Sequence, residues 1–380
     1  MATENRCACS PAAGGADPFE IKDFPRVIEG GAWDGGHVQG IALDTAHRYV
    51  YYSFTTVLVK TDISGRLIGT VSGLTGHLGC ISFNDEDGKV YGSIEYKHDA
   101  IGQGIMARTG KKLADEDAFY IAIFDADRID RPGLDAERDG IMKAVYLPDV
   151  CDDFSSEGLD GRPHRYACSG IDGTGFGPDF GAPQDSPRML HVAYGIYGDN
   201  GRTDNDCQVI LRFDQRKFAE YAKPLTQAEP HHSGPRCDRK YFFHTGNTNW
   251  GVQNLEYDAF LDAWLVAVYR GKKPQFKNPP MFIIGRASAP AEREIPGLCG
   301  ERGLMLPMSD LCYDGGEFTG CEFPEGSTGM YSFGNGYYCF SYPGRKTVGE
   351  GGEAKRLFTS TVKLCRFTGK KPLLFEEVSD

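Results

Sequence analysis

A short pattern recurs five times along the chain: a small or polar opening, an alternation of apolar residues, then a turn. The copies are HVQGIALD at 37–44, HLGCISFN at 77–84, SGIDGTGF at 169–176, VQNLEYD at 252–258 and STGMYSF at 327–333. Recurrence on this scale means that one supersecondary unit is used repeatedly and that the core forms where neighbours stack. The two-residue period marks β-strands, because successive side chains point to opposite faces. Glycine and small polar residues, where a core strand would be bulky, indicate strands crowded around an axis.

After the first copy, runs at 49–54, 57–62 and 67–71 complete a four-stranded meander, with DISG at 62–65 as a hairpin turn. The unit spans about 40 residues, the length of a propeller blade. The second copy continues at 90–96, 119–124 and 143–147, with a long insertion from about 98 to 118. The third continues at 190–197, 209–213 and 241–244, with a charged stretch that suits a short helix. The fourth shows runs at 264–269 and 281–284 and no evident last strand; the fifth shows 336–342, 357–367 and 373–375. Residues 26–29 are placed to add a strand to the last unit and close the ring, which removes exposed edges. The expected fold is therefore all-β: an irregular leader at 1–24, then a single β-propeller of four-stranded blades over 25–380. Five blades are counted; six or seven need strands hidden in segments such as 299–321. No helical periodicity competes.

Composition narrows the partners. With 41 basic against 53 acidic residues the net charge is −12, which disfavours nucleic acid, whose binding draws on neutralised phosphates. No apolar run reaches the length needed to span a bilayer, and residues 1–17 lack the basic-then-apolar order of a secretory signal. As written the chain reads as cytoplasmic, or as secreted or periplasmic if a leader has been removed. Of twelve cysteines, Cys80, Cys168, Cys339 and Cys365 fall in apparent strands among apolar neighbours, as buried thiols do. The close pairs Cys7/Cys9 and Cys312/Cys321 lack zinc-site spacing. The signatures GxSxG and HExxH, the Walker loop and the Rossmann fingerprint are all missing.

Propeller pockets form at one end of the axis, so polar residues on innermost strands and in insertions are the candidates for chemistry. His37 and Gln39 open the first inner strand, His77 opens the second, and His98 begins the insertion. Histidines at matched blade positions would meet at the axis, and imidazole suits proton transfer near neutrality. Arg165, beside Tyr166, suits a carboxylate grip or an ion pair between blades. Arg202 precedes Asp204 and Asp206, which read as a turn or a weak calcium loop. Asn249, Trp250, Gln253 and Asn254 combine amides with an indole, as sugar hydroxyls and ring faces require, or else serve turn and core. Tyr337, Tyr338, Tyr342 and Arg345 are placed to complete a pocket from the fifth blade.

The segments GHVQG at 36–40, TGHLG at 75–79, YKH at 96–98 and HRY at 164–166 resemble the propeller-type polysaccharide lyases. In particular they are similar to the L-rhamnose-α-1,4-D-glucuronate lyases that act on arabinogalactan and gum arabic side chains. The resemblance covers the chain from about residue 26, and that family is described with more blades than five. It implies a uronate-containing oligo- or polysaccharide as partner and β-elimination that releases rhamnose and leaves an unsaturated uronic acid. In that scheme Arg165, seconded by Arg345 or Arg202, holds the carboxylate; His77 and His98 transfer protons; Tyr166 assists. No cofactor is called for beyond a structural calcium ion near the axis, for which no ligand set is defined. Two other classes stay open: a glycosidase using paired carboxylates among Asp44, Asp172 and Glu256, and a non-enzymatic propeller that binds sugar or protein.

Overall fold

The computed structural model describes residues 20–247, 249–349 and 354–379; the leader cysteines Cys7 and Cys9 lie outside them. Five sheets stand around an axis; four innermost strands begin within one residue of the repeat, while in the fifth Glu325–Thr328 forms a 3-10 helix and the strand starts at Met330. Blade I is Val38–Asp44, Tyr49–Phe54, Val57–Asp62 and Leu67–Ser72; blade II is His77–Asn84, Lys89–Tyr96, Ala118–Asp125 and Met142–Tyr146. Blade III is Cys168–Gly177, Met189–Ile196, Cys207–Phe213 and Arg239–His244. Blade IV has three strands among the described residues, Val252–Asp258, Ala263–Val268 and Met281–Gly285. Blade V takes Met330–Ser332, Tyr337–Val348 and Lys355–Phe367 from the end of the chain and Val27–Trp33 from its beginning, with Val27 opposite Lys363 and Trp33 opposite Phe358. That last pairing closes the ring as expected.

Among the described residues the long separations between later repeats hide no further blades. They cover strand edges, which left bare would invite pairing with other chains. Leu134–Asp135, from the last loop of blade II, runs parallel to the outer strand of blade I, and Lys223–Pro224, from blade III, caps blade II. Arg302–Met305 and Ala291–Glu294, which follow blade IV, extend blade III. Two α-helices that strand periodicity did not reveal, Ala100–Thr109 and Pro148–Ser155, lie in the blade II insertion and in the connection to blade III.

Apolar side chains pack between adjacent blades, with Trp264, Tyr51, Tyr52 and Tyr120 fully buried. At the axis the inner strands share no sheet ladder, and small side chains tie them instead. Asn254 Nδ2 donates to the carbonyls of Gln39 (2.9 Å) and Ser327 (3.1 Å), and Cys80 Sγ donates to Asn254 Oδ1 (3.2 Å). Thr174 Oγ1 donates to Cys80 O at 3.0 Å, so all five blades join one knot. Asn254 is thus a buried strut and no sugar contact. Backbone approach sets the spacing: a Cβ on Gly40 would lie 2.9 Å from Ile81 N, and one on Gly175 only 2.4 Å from Leu255 O.

Gly175→Ala should therefore destabilise the protein by about 2 kcal/mol, as overpacked cores do. Gly104→Ala, in a helix with open space around it, should stabilise by about 0.5 kcal/mol. Chemical denaturation of both variants checks this; equal midpoints would contradict the crowding argument.

Candidate functional site

Antiparallel pairing decides what meets at each end of the axis. Within a blade, the start of the innermost strand lies beside the end of the second strand: His77 is the register partner of Glu95, Val38 of Phe54 and Val252 of Val268. One end is therefore walled by residues that open first strands (His37, Gln39, His77, Ser169, Asp172, Gln253) and by residues that close second strands (Glu95, Lys97, Tyr197, Tyr269). With Asp99, Ile101 and Trp250 they bound a cavity of about 330 Å³, a size that suits a small ligand.

Its base is an ion cluster. Glu95 Oε1 lies 2.7 Å from Lys97 Nζ and 3.3 Å from His77 Nδ1, and Oε2 accepts from Ile171 N–H at 3.1 Å. Lys97 also donates to Ser169 O (2.6 Å) and pairs with Asp99 at 3.3 Å. Asp99 in turn caps helix Ala100–Thr109 by accepting from the N–H groups of Ile101 and Gly102, so the insertion is fastened to the pocket. Burial alone would raise the Glu95 pKa, but Lys97 and then His77 hold it below the ordinary range. Asp172 feels the same cations, His77 and Lys97, too weakly to offset its burial. Although it opens toward the cavity, confinement first and the Glu95 charge second push its pKa from 3.8 to about 7, and Gln253 Nε2 donates to its Oδ2 at 3.1 Å. The two carboxyls thus take opposite protonation habits, the usual arrangement for an acid beside a permanent anion.

At the mouth, His37 Nε2 is 3.2 Å from the hydroxyl of Tyr269, and Gln39 Nε2 is within 3.4 Å of the same ring. The ring is open to solvent yet walled by protein. Confinement, then the charges of His77, Arg345 and Arg108, lower its pKa, so it is a neutral base at neutral pH. Arg108, from the insertion helix, sits with Nη1 3.0 Å from where a Cβ on Gly36 would project. Trp250, half exposed with a left-handed φ of 67°, forms the opposite rim, and its carbonyl accepts from Gln253 at 2.9 Å.

Of the residues singled out from sequence, His37, Gln39, His77, Trp250 and Gln253 converge here. Others do not. His98 faces outward, its Nδ1 3.0 Å from Asp117 Oδ1, because the chain turns away into the helix directly after Lys97. Arg165 pairs with Glu301 at 2.7 Å and lies over the Tyr166 ring, whose hydroxyl donates to the same carboxylate; this is the structural ion pair. Arg202 Nε donates to Asp204 Oδ1 at 2.8 Å. Buried Lys273 places its ammonium on Arg202 O, Asn205 Oδ1 and Asp206 Oδ1, so the run suggested as a calcium loop holds the protein's own cations. Among the described residues no group of three or more His, Cys, Asp or Glu is arranged to hold a metal.

Asn249 donates its N–H to Asn247 Oδ1 and shapes the loop before Trp250 without lining the cavity. Tyr338 is buried, its hydroxyl donating to Asp258 at 2.7 Å. Arg345 touches the site through its field on His37 and lies over Phe358. The carboxylates proposed as a glycosidase pair are split between the two ends of the axis. Asp44 binds His47, and Glu256 lies with Arg188 in a separate hollow of about 260 Å³ beyond the knot, where burial raises its pKa to about 8. Glu95, Lys97, Tyr197 and Tyr269 escaped the sequence reading because they close second strands. Their signal was a charged pair two apart at one strand end and a tyrosine at the matching place in two blades.

No family model and no curated protein matches the chain. Among solved structures, a protein of unknown function from Bacteroides caccae is similar over 74% of this chain and 85% of its own, at 9% identity and a TM-score of 0.29. The Dos1 propeller aligns over 85% of this chain and 78% of its own, at 8% identity and a TM-score of 0.27. Similarity at this level leaves the class to the strand pairing itself, which is that of a five-bladed β-propeller with a pocket at one end of its axis. Among the described residues no helix is long and apolar enough to cross a membrane.

Asp172 binds its proton more tightly in the fold than in the unfolded chain. Its contribution to stability is therefore complete below pH 3.8 and is lost as pH rises toward about 7. Glu256 acts with the same sign between 4.5 and about 8. Asp172→Asn should flatten, without abolishing, the fall of unfolding free energy across that window, by up to about 1.4 kcal/mol per pH unit; an unchanged slope would refute the assignment.

Proposed function

We propose that the axial pocket cleaves a sugar chain by β-elimination at a terminal glucuronate, releasing rhamnose from a rhamnosyl-glucuronate and leaving an unsaturated uronic acid. The supporting observation is the neutral His37 imidazole, 3.2 Å from the Tyr269 hydroxyl and within the field of Arg108 and Arg345. Neither guanidinium lies within 4 Å of a carboxylate among the described residues, although Asp34 acts on Arg108 from further off. They replace Arg165 and Arg202 as the carboxylate grip. Neutralising the uronate acidifies its C5–H; His37 accepts that proton, the C4–O bond breaks as the C4=C5 bond forms, and Asp172 supplies the proton for the departing oxygen. The Trp250 indole offers a face for the sugar ring.

The opposite pKa directions of Glu95 and Asp172 favour hydrolysis as a second reading. Glu95, however, is already occupied by Lys97, His77 and Ile171 N–H, which leaves it poorly placed to attack an anomeric carbon or activate a water.

Incubation with a rhamnosyl-glucuronate oligosaccharide should give the ultraviolet absorbance of a conjugated enol acid in step with released rhamnose. His37→Ala and Tyr269→Phe should each lower kcat by about 100-fold or more, and Arg345→Ala should act mainly on KM. His98→Ala and Arg165→Ala, whose side chains lie outside the pocket, should stay within about twofold of the parent on the same scale. Release of rhamnose without absorbance would assign hydrolysis instead, and intact substrate would end the catalytic reading for this sugar.

A further inference from the structure

Among the described residues blade IV is one strand short, and the segment covering its edge carries two thiols. Residues 309–321 follow Met281–Gly285: Ser309 N–H donates to Ile283 O at 2.8 Å and Cys321 N–H to Met281 O at 2.9 Å. In between stands a small hairpin, Tyr313–Asp314 against Glu317–Phe318, with the N–H groups of Thr319 and Gly320 both on Cys312 O. The hairpin returns the chain on itself, so Cys321, paired with Met281 and with its Sγ 4.0 Å from Leu311 O, stands beside Cys312 at the base, where the two thiols interact. Cys312 Sγ also accepts from Ile283 N–H at 3.2 Å. The other neighbouring thiols, Cys339 and Cys365, lie on paired strands one residue out of register, opposite Leu364 and Tyr338.

Both thiols are buried, and Cys321, 2% exposed, is the one next to a surface hollow. Cys321 lines an open hollow of about 180 Å³ together with Lys277, Glu322 and Lys371. The bond between the thiols lowers Cys312 and, together with burial, raises Cys321, so the pair's negative charge rests on Cys312, near the ammonium of Lys371, which donates to Tyr313 O. Cys312 is fully buried behind it.

We propose that Cys312 and Cys321 form a disulfide site that clamps the cover of blade IV, oxidised by a low-molecular-weight disulfide of the glutathione class. As Cys321 gives up its proton through Cys312 to the departing sulfur, its Sγ attacks one sulfur of that disulfide, the external S–S bond breaks, and one external thiol departs. Cys312 then attacks Cys321 Sγ, forming the internal S–S bond and expelling the second external thiol. The two thiol protons end on the departing sulfurs, and the two electrons reduce the external disulfide. Cross-linking this short loop restricts the unfolded chain and holds the edge strand covered.

The test uses the full chain, incubated with oxidised glutathione, alkylated under denaturing conditions and mapped by peptide mass spectrometry. A peptide linking Cys312 to Cys321 with loss of two hydrogens is expected, with a rise in Tm of roughly 3 °C, both reversed by dithiothreitol. Cys312→Ser should lose the link and the rise; if that variant does not fold, the map of the parent protein still decides. Alkylation of both thiols after oxidant treatment, or a link from either one to another cysteine such as Cys299, overturns the proposal. A correct link without a change in Tm overturns the clamp.

Discussion

Close approach of five inner strands at the axis is the constraint on which the rest of the structure depends. Those strands belong to different sheets, so no ladder holds them together, and their backbones come near enough that Gly40 and Gly175 admit no side chain without displacement. Carbonyls facing inward at such spacing must find donors, since an unpaired buried polar group costs about as much as a lost hydrogen bond. Asn254, Thr174 and Cys80 supply them. The knot they form divides the axis into two shallow hollows, and this makes the upper end a closed pocket with a base on which chemistry can be arranged.

That base is costly to build. Glu95 and Lys97 are both withdrawn from water, and pairing in a confined space returns the desolvation cost only when the remaining hydrogen-bonding capacity is met. Here it is met by Ile171 N–H, Ser169 O and Asp99. Because Asp99 also caps the insertion helix, the ion cluster fixes the helix that carries Ile101 and Arg108 to the pocket wall. Burial first and the fixed Glu95 charge second raise Asp172 toward a neutral acid, against the weaker pull of His77 and Lys97, so the cluster contributes to the protonation of the site it holds together.

The remaining length of the chain serves the sheet edges. Each of blades I to III has its outer strand paired by a segment borrowed from the next part of the sequence, and blade V is completed from the N-terminal side. Blade IV relies on backbone hydrogen bonds from residues 309–321 instead. A ring bound in this way gains its cooperativity from exchange between neighbours, not from the stability of any one meander.

Local pattern located the main blade strands and counted five blades while leaving six or seven open, because a two-residue alternation and crowding glycines are properties of short segments. The starts of four inner strands, ring closure by residues 26–29, and the placing of His37, Gln39, His77, Trp250 and Gln253 near the axis were legible for that reason. Convergence of second-strand ends was not, because Tyr269 and Glu95 reach the mouth only through antiparallel register. Nor was the fate of the arginines: Arg165 and Arg202 were drawn off by Glu301 and Asp204, partners that only the folded chain or a tight turn selects. An isolated sequence shows which side chains carry charge; which of those charges remain unspent is settled by what the fold places beside them.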